Sequence, residues 1–258
     1  MKKTLFISVF FITLATSIVV NLPLSWLLNQ PKIQQIVQQN LPKEIELTNP
    51  SGSWWQGSLN VSFSENNSQK DAGNVAWKLN WLPLLQGNIA ADLAWTLSNQ
   101  TLLAKVDFDG ENLKLTNLTG EMPVNRLMLL SSKTAILADA TGDVHFRNLA
   151  IDFSLPKNWL TSLSGVLAVT DFSALGANFG LLEIKPTMQG QDVKLNLTGG
   201  SKAQGWDLTG NSVLHKNRRF QFNVKVTAQS DESMPDWVAI MMPMKSPKLA
   251  ELKKTGRW

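Results

Sequence analysis

Phe220-Gln-Phe222-Asn-Val224-Lys-Val226 alternates apolar and polar residues without a break. A period of two sends successive side chains to opposite faces, so the stretch reads as a strand with one dry and one wet face. The same alternation recurs at Leu113-Lys-Leu115, Val144-His-Phe146, Ala150-Ile151-Asp-Phe153 and Val193-Lys-Leu195-Asn-Leu197. Half-buried strands of this kind belong to antiparallel sheets, which tolerate one solvated face. Between Leu102–Phe108 and Glu111–Leu118 stands Asp109-Gly110, a pair that predicts a two-residue hairpin turn. Helical periods after residue 42 are short, at Val124 to Ser132 and Asp236 to Met242.

A weak rhythm runs through the strands. Leu118-Thr-Gly120, Ala140-Thr-Gly142, Leu163-Ser-Gly165 and Leu208-Thr-Gly210 share an apolar-hydroxyl-glycine step, with glycines 22, 23 and 45 positions apart. About 22 residues hold two strands and their turns at a rise of about 3.3 Å per residue. The expected fold is therefore mainly β, a curled antiparallel sheet built from successive hairpins. An open apolar face of that size invites aggregation, so the sheet is expected to fold over itself or form an open sandwich. Gly52, Gly57, Gly87 and Gly120 would supply the bends.

The first part of the chain has a different character. No charged residue occurs from Thr4 to Pro31, and Leu5 to Leu28 is long and apolar enough to predict a single transmembrane anchor. Lys2 and Lys3 would hold a cytoplasmic stub, residues 1–4, by the positive-inside preference. A cleaved signal peptide is the alternative, but Thr-Ser-Ile-Val-Val-Asn after Ala15 offers no small-x-small cleavage pattern. Pro31-Lys-Ile33-Gln-Gln-Ile36-Val37-Gln-Gln-Asn-Leu41 then predicts a short amphipathic linker helix within residues 29–42, opened by Pro31 and stopped by Pro42. Residues 43–258 would form one β domain. The expected location is the inner membrane, crossed once and in contact with its lipid, with the β domain in the periplasm.

Composition removes several classes of function. With 10 Trp, 11 Phe and 43% hydrophobic residues in 258, the chain can bury a substantial core. A formal charge of +4, scattered along the sequence, does not make a nucleic-acid surface. The absence of cysteine excludes disulfides, thiolate metal sites and thiol nucleophiles. His145 and His215 each lie in strand-like alternation with no second ligand at metal spacing. Phosphate loops, nucleophile elbows and dinucleotide fingerprints are missing from the sequence. The chain reads as a non-enzyme with no cofactor and no metal. Its Met-rich stretch Pro235 to Met244, which holds Trp237 and precedes Lys245, Lys248, Lys253, Lys254 and Arg257, reads either as a docking surface or as a terminal helix closing the sheet.

Two blocks carry a resemblance. Gly52-Ser-Trp54-Trp55-Gln-Gly57 follows the apolar segment, and Leu79-Asn-Trp81-Leu-Pro83-Leu-Leu85-Gln-Gly87 follows in turn. In this order they resemble protein N of the bacterial type II secretion system. The resemblance implies an accessory subunit of the machine that exports folded periplasmic proteins, acting by non-catalytic contacts with other subunits of that system. It brings no active site. The residues singled out for structure or interaction are Gly52, Trp54, Trp55, Gly57, Trp81, Gly87 and Trp237, with Trp54 and Trp55 expected at the mouth of the sheet. A rival reading takes the stacked hairpins as a lipid-transfer protein of the envelope, with bound lipid in an apolar β-groove.

Overall fold

A computed structural model describes residues 17, 20–42, 44–65, 68–128, 140–174 and 177–257. Two short helices come first, α1 (Leu24–Leu28) and α2 (Pro31–Asn40). The strands follow as β1 (Ile45–Gly52), β2 (Gln56–Glu65), β3 (Ser68–Leu79), β4 (Ile89–Leu97), β5 (Gln100–Phe108), β6 (Asn112–Pro123), β7 (Thr141–Ser154) and β8 (Trp159–Ala174). They continue as β9 (Ala177–Gln189), β10 (Asp192–Ser201), β11 (Trp206–Leu214), β12 (Arg219–Ala228), β13 (Met244–Ser246) and β14 (Leu249–Arg257). One-turn helices interrupt the series at α3 (Trp81–Leu85), α4 (Val124–Met128) and α5 (Asp236–Met241).

Among the described residues all fourteen strands belong to one sheet. They stand in sequence order except at the end, where β14 lies between β12 and β13. Among the described residues the strand pairs are antiparallel, as hairpin connections require. The register places apolar residues opposite apolar residues across many strands. Leu59 faces Val75, Val75 faces Trp95 and Trp95 faces Leu102. Farther on, Met122 faces Val144, Val144 faces Val169 and Val169 faces Leu182. Near the end Leu208 faces Val226, which faces Ala250. A one-residue slip anywhere would turn these side chains to the wet face, so the alternation fixes the register.

The expectation of a curled, folded-over sheet or sandwich is corrected here. The sheet is a single open layer: β1 forms one edge, β13 the other, and the two do not pair. Short elements laid on the apolar face give it local cover instead. Val124 and Leu127 of α4 pack with Val144, Val169 and Phe146. Trp237 and Val238 of α5 pack with Trp206, Leu208, Val226 and Ala250. Both edges are blunted, as solitary sheets require. β1 carries Pro50 beside Asn49 at a positive φ of 51°, and β13 is three residues long between Pro243 and Pro247.

The glycine rhythm has a structural meaning in three of its four members. Gly120, Gly142 and Gly165 have φ of 127°, 120° and 109° and lie at shifts of register in β6 to β8. At each shift the extra residue is on the strand facing the glycine, and the glycine opposite the bulge takes a backbone conformation that L side chains rarely adopt. Gly210 belongs to an unbroken ladder opposite Val224 and shares only the sequence pattern.

Two further expectations change. The transmembrane anchor and the single-pass inner-membrane location are not supported: among the described residues no helix is long and apolar enough to cross a membrane. Residues 1–16, 18 and 19 of the expected stub and anchor lie outside the described residues. Its described end is broken by Pro23, which pairs with Ser53 as an isolated bridge and caps the five-residue α1. The Asp109-Gly110 turn is displaced by one residue. Asp109 donates its N–H to the Asn112 carbonyl at 3.3 Å, so Gly110 and Glu111 form the tip. The helix expected to start at Val124 does so, and the part of it beyond Met128 lies outside the described residues.

Candidate functional site

The two sequence blocks meet in space. Gly52 and Gly57 pair across the start of the first hairpin, leaving Ser53-Trp54-Trp55-Gln56 as its turn, closed by the Ser53 N–H to the Gln56 carbonyl at 2.8 Å. A Cβ on Gly57 would lie 2.7 and 2.8 Å from the Ser53 and Ser51 carbonyls and 3.0 Å from the Trp77 ring. Any side chain there would force the turn apart. Gly52, at φ 78°, makes the matching approach to the Gln56 carbonyl. The small residues at both ends are thus what lets two indoles project from so tight a turn.

Long-range hydrogen bonds hold this turn, one of them through the Trp55 indole. Trp55 donates its Nε1–H to the Val20 carbonyl at 2.8 Å, which ties the segment before α1 to the turn. The Trp54 carbonyl accepts the Nε1–H of Trp77 at 3.0 Å, and the Trp55 carbonyl accepts the Leu79 N–H at 2.7 Å. Trp81, the first residue of α3, closes the group. Its ring stands edge-on to Trp54 at 6.3 Å and tilted against Trp55 at 5.7 Å. Such offset and edge arrangements suit the ring quadrupole and add to the burial energy. Gly87, at φ 81°, stands just past α3, with its N–H on the Leu84 carbonyl at 3.1 Å and the Asn88 N–H on the Pro83 carbonyl at 3.0 Å. It ends the helix in the left-handed conformation glycine favours there.

The result is an apolar knob on a firm base. Trp54 and Trp55 are half-buried, whereas Trp81, Leu82 and Leu85 are 46%, 76% and 84% exposed. Sequence reading selected Gly52, Trp54, Trp55, Gly57, Trp81 and Gly87, all of which come together here. It missed Trp77, hidden in the Val75-Ala-Trp77-Lys-Leu79 alternation, and Val20, whose main-chain carbonyl no pattern could nominate.

Trp237 lies elsewhere. Its ring packs against Phe179 at 4.6 Å and edge-on to Trp206 at 5.9 Å, and Val238 beside it is fully buried. The Met-rich stretch therefore covers the C-terminal part of the sheet with one side, while Ile240 and Met241 remain exposed on the other.

The titratable groups serve the sheet. His145 Nε2 meets Thr170 Oγ1 at 3.1 Å, and its Nδ1 lies 3.4 Å from Glu121. His215 Nδ1 lies 2.9 Å from Asp192, joining the ends of β10 and β11. Asp109 accepts from the Asn112 side chain at 3.0 Å, from the Asn112 N–H at 2.7 Å and from the Glu111 N–H at 3.0 Å. These bonds favour its charged form and hold its pKa down to about 2. Among the described residues no group of three His, Asp or Glu is placed to hold a metal.

The chain matches the family model of the type II secretion system (T2SS), protein N, over residues 43–244. It belongs to that family. The match takes in both tryptophan blocks and every strand from β1 to β12. Members are non-catalytic accessory subunits of the secretion system. No curated protein and no solved structure matches the chain.

Proposed function

We propose that the protein supports export of folded proteins by binding other subunits of the type II secretion system through the Trp81-Leu82-Leu85 knob. Family membership supplies the system and implies contact with its components. The observation that carries the surface is the contrast between a pinned base and an exposed crown. Leu82 and Leu85 are among the most exposed large apolar side chains described, yet their helix rests through Trp81 on Trp54 and Trp55, the latter hydrogen-bonded through its indole to the distant Val20 carbonyl. Isolated surface leucines need no explanation, but rigidly displayed ones beside an aromatic cluster have the composition of an interface centre.

The test is a deletion strain complemented with the parent chain or with Leu82→Asp/Leu85→Asp. Folded extracellular enzymes are assayed in medium and periplasm, together with outer-membrane permeability. The deletion and the double variant should both strand active enzyme in the periplasm with the barrier intact, at parental levels of the protein. Full complementation by the double variant would remove the knob from the mechanism. Normal secretion with a leaking outer membrane in the deletion strain would remove the secretion role and favour lipid handling.

A further inference from the structure

A cleft of about 500 Å³ lies at one end of the sheet, between the β7–β8 turn and the β11–β12 turn. That volume lies within the ordinary range of small-molecule sites. Phe153, Leu160, Val193 and Leu214 line its apolar part. Trp159 donates its Nε1–H to the Gln191 carbonyl at 2.7 Å, which ties the start of β8 to the turn between β9 and β10 beside the cleft.

The rest of the lining is basic. Lys157, Lys216 and Arg218 surround the opening, and none of them makes an ion pair among the described residues. Arg218 holds φ 62° in a turn closed by the His215 N–H on the Arg219 carbonyl at 2.8 Å. The opposite turn places Asn158 at φ 46°, the side chain that best tolerates that conformation after glycine. An arginine is a strained choice for the same position. The strain is kept where it adds a cation to the opening.

We propose that this cleft binds an anionic amphiphile, with its apolar chain against Leu160, Val193 and Leu214 and its acidic head, carboxylate or phosphate, among Lys157, Lys216 and Arg218. Charge complementarity selects the head, because three cations without counter-ions ring an apolar floor. The site is separate from the tryptophan knob and does not depend on the secretion role.

The purified full-length chain is titrated calorimetrically with decyl phosphate, decanoate and decanol below their aggregation limits. Saturable one-to-one binding of at least one acid is expected, with decanol weaker by at least about tenfold. The tighter of the two acids identifies the head group. Lys216→Glu/Arg218→Glu should weaken binding by a similar factor at an unchanged thermal midpoint. Leu160→Trp, which fills the floor without altering charge, should weaken it as well. Decanol binding as tightly as the acids, binding indifferent to both variants, or no saturable binding of either acid would each overturn the proposal.

Discussion

Trp55 gives its indole proton to a carbonyl 35 positions earlier in the chain and rests its ring on Trp81, 26 positions later. Removing a fully buried tryptophan costs about 3–5 kcal/mol, and the half-buried ring here should give roughly half of that in Trp55→Ala. Trp55→Phe keeps most of the packing and loses the hydrogen bond, which should cost about 1 kcal/mol. Urea unfolding of the two variants checks the order, and equal stability of Trp55→Ala and parent would release the ring from any structural duty. Asp109 makes a different kind of prediction. Its folded pKa of about 2 lies below the ordinary 3.8, so its contribution is complete above about pH 4 and is lost as pH falls through about 2. Asp109→Asn retains an oxygen for the two backbone N–H groups and should lose less stability between those limits than the parent does. A parallel acid dependence of the two proteins would mean that other carboxylates govern this range. The sequence made the glycine-flanked tryptophans visible because that combination has few other uses. It could not reveal Val20, because a main-chain carbonyl leaves no mark on residue choice.

Strand elements were legible for a reason that also explains which details were not. Alternation states which face of a strand is dry, and the paired runs Leu59–Val75–Trp95–Leu102 and Leu208–Val226–Ala250 follow from it directly. Alternation does not state what covers the dry face, so it fits a folded-over sheet as well as the open layer dressed by α4 and α5. Turn identity failed by a single residue at Asp109-Gly110-Glu111, where the carboxylate caps the turn from outside and the glycine alone takes the positive φ of 95°. The glycine rhythm marked bulges at Gly120, Gly142 and Gly165, yet the same three-residue pattern at Gly210 marks none. That distinction yields a test at the level of the element. In Gly165→Ala the new Cβ would lie 2.6 Å from both the Asn148 carbonyl oxygen and the Leu149 Cα, at a φ of 109°. A loss of about 2–4 kcal/mol is expected, the range of a strained backbone combined with overpacking. A thermal midpoint equal to that of the parent would show that the bulge can relax and that its glycine is dispensable.

At the scale of the molecule, a sheet whose strands pair almost wholly with their sequence neighbours resembles a repeat array more than a closed core. In such arrays each unit touches only the next, so stability is a sum of local terms and not one cooperative quantity. Buried side chains bear this out in their distribution. Leu97, Leu102 and Met122 form one group, Val124, Val144 and Val169 a second, and Trp206, Val226, Val238 and Ala250 a third. Neighbouring groups are joined through partly buried residues, Leu127 and Phe146 between the first two and Leu182 between the last two. Damage to one end should therefore stay there. Val226 is fully buried, and Val226→Ala removes two methyl groups at a cost of about 1–3 kcal/mol. Hydrogen exchange followed by mass spectrometry on the full chain should then show faster uptake across residues 206–257 and unchanged uptake across β4 to β6. A rise spread evenly over all fourteen strands would mean that the sheet unfolds as one body. The shared residues Leu127, Phe146 and Leu182 would then transmit far more than their partial burial accounts for.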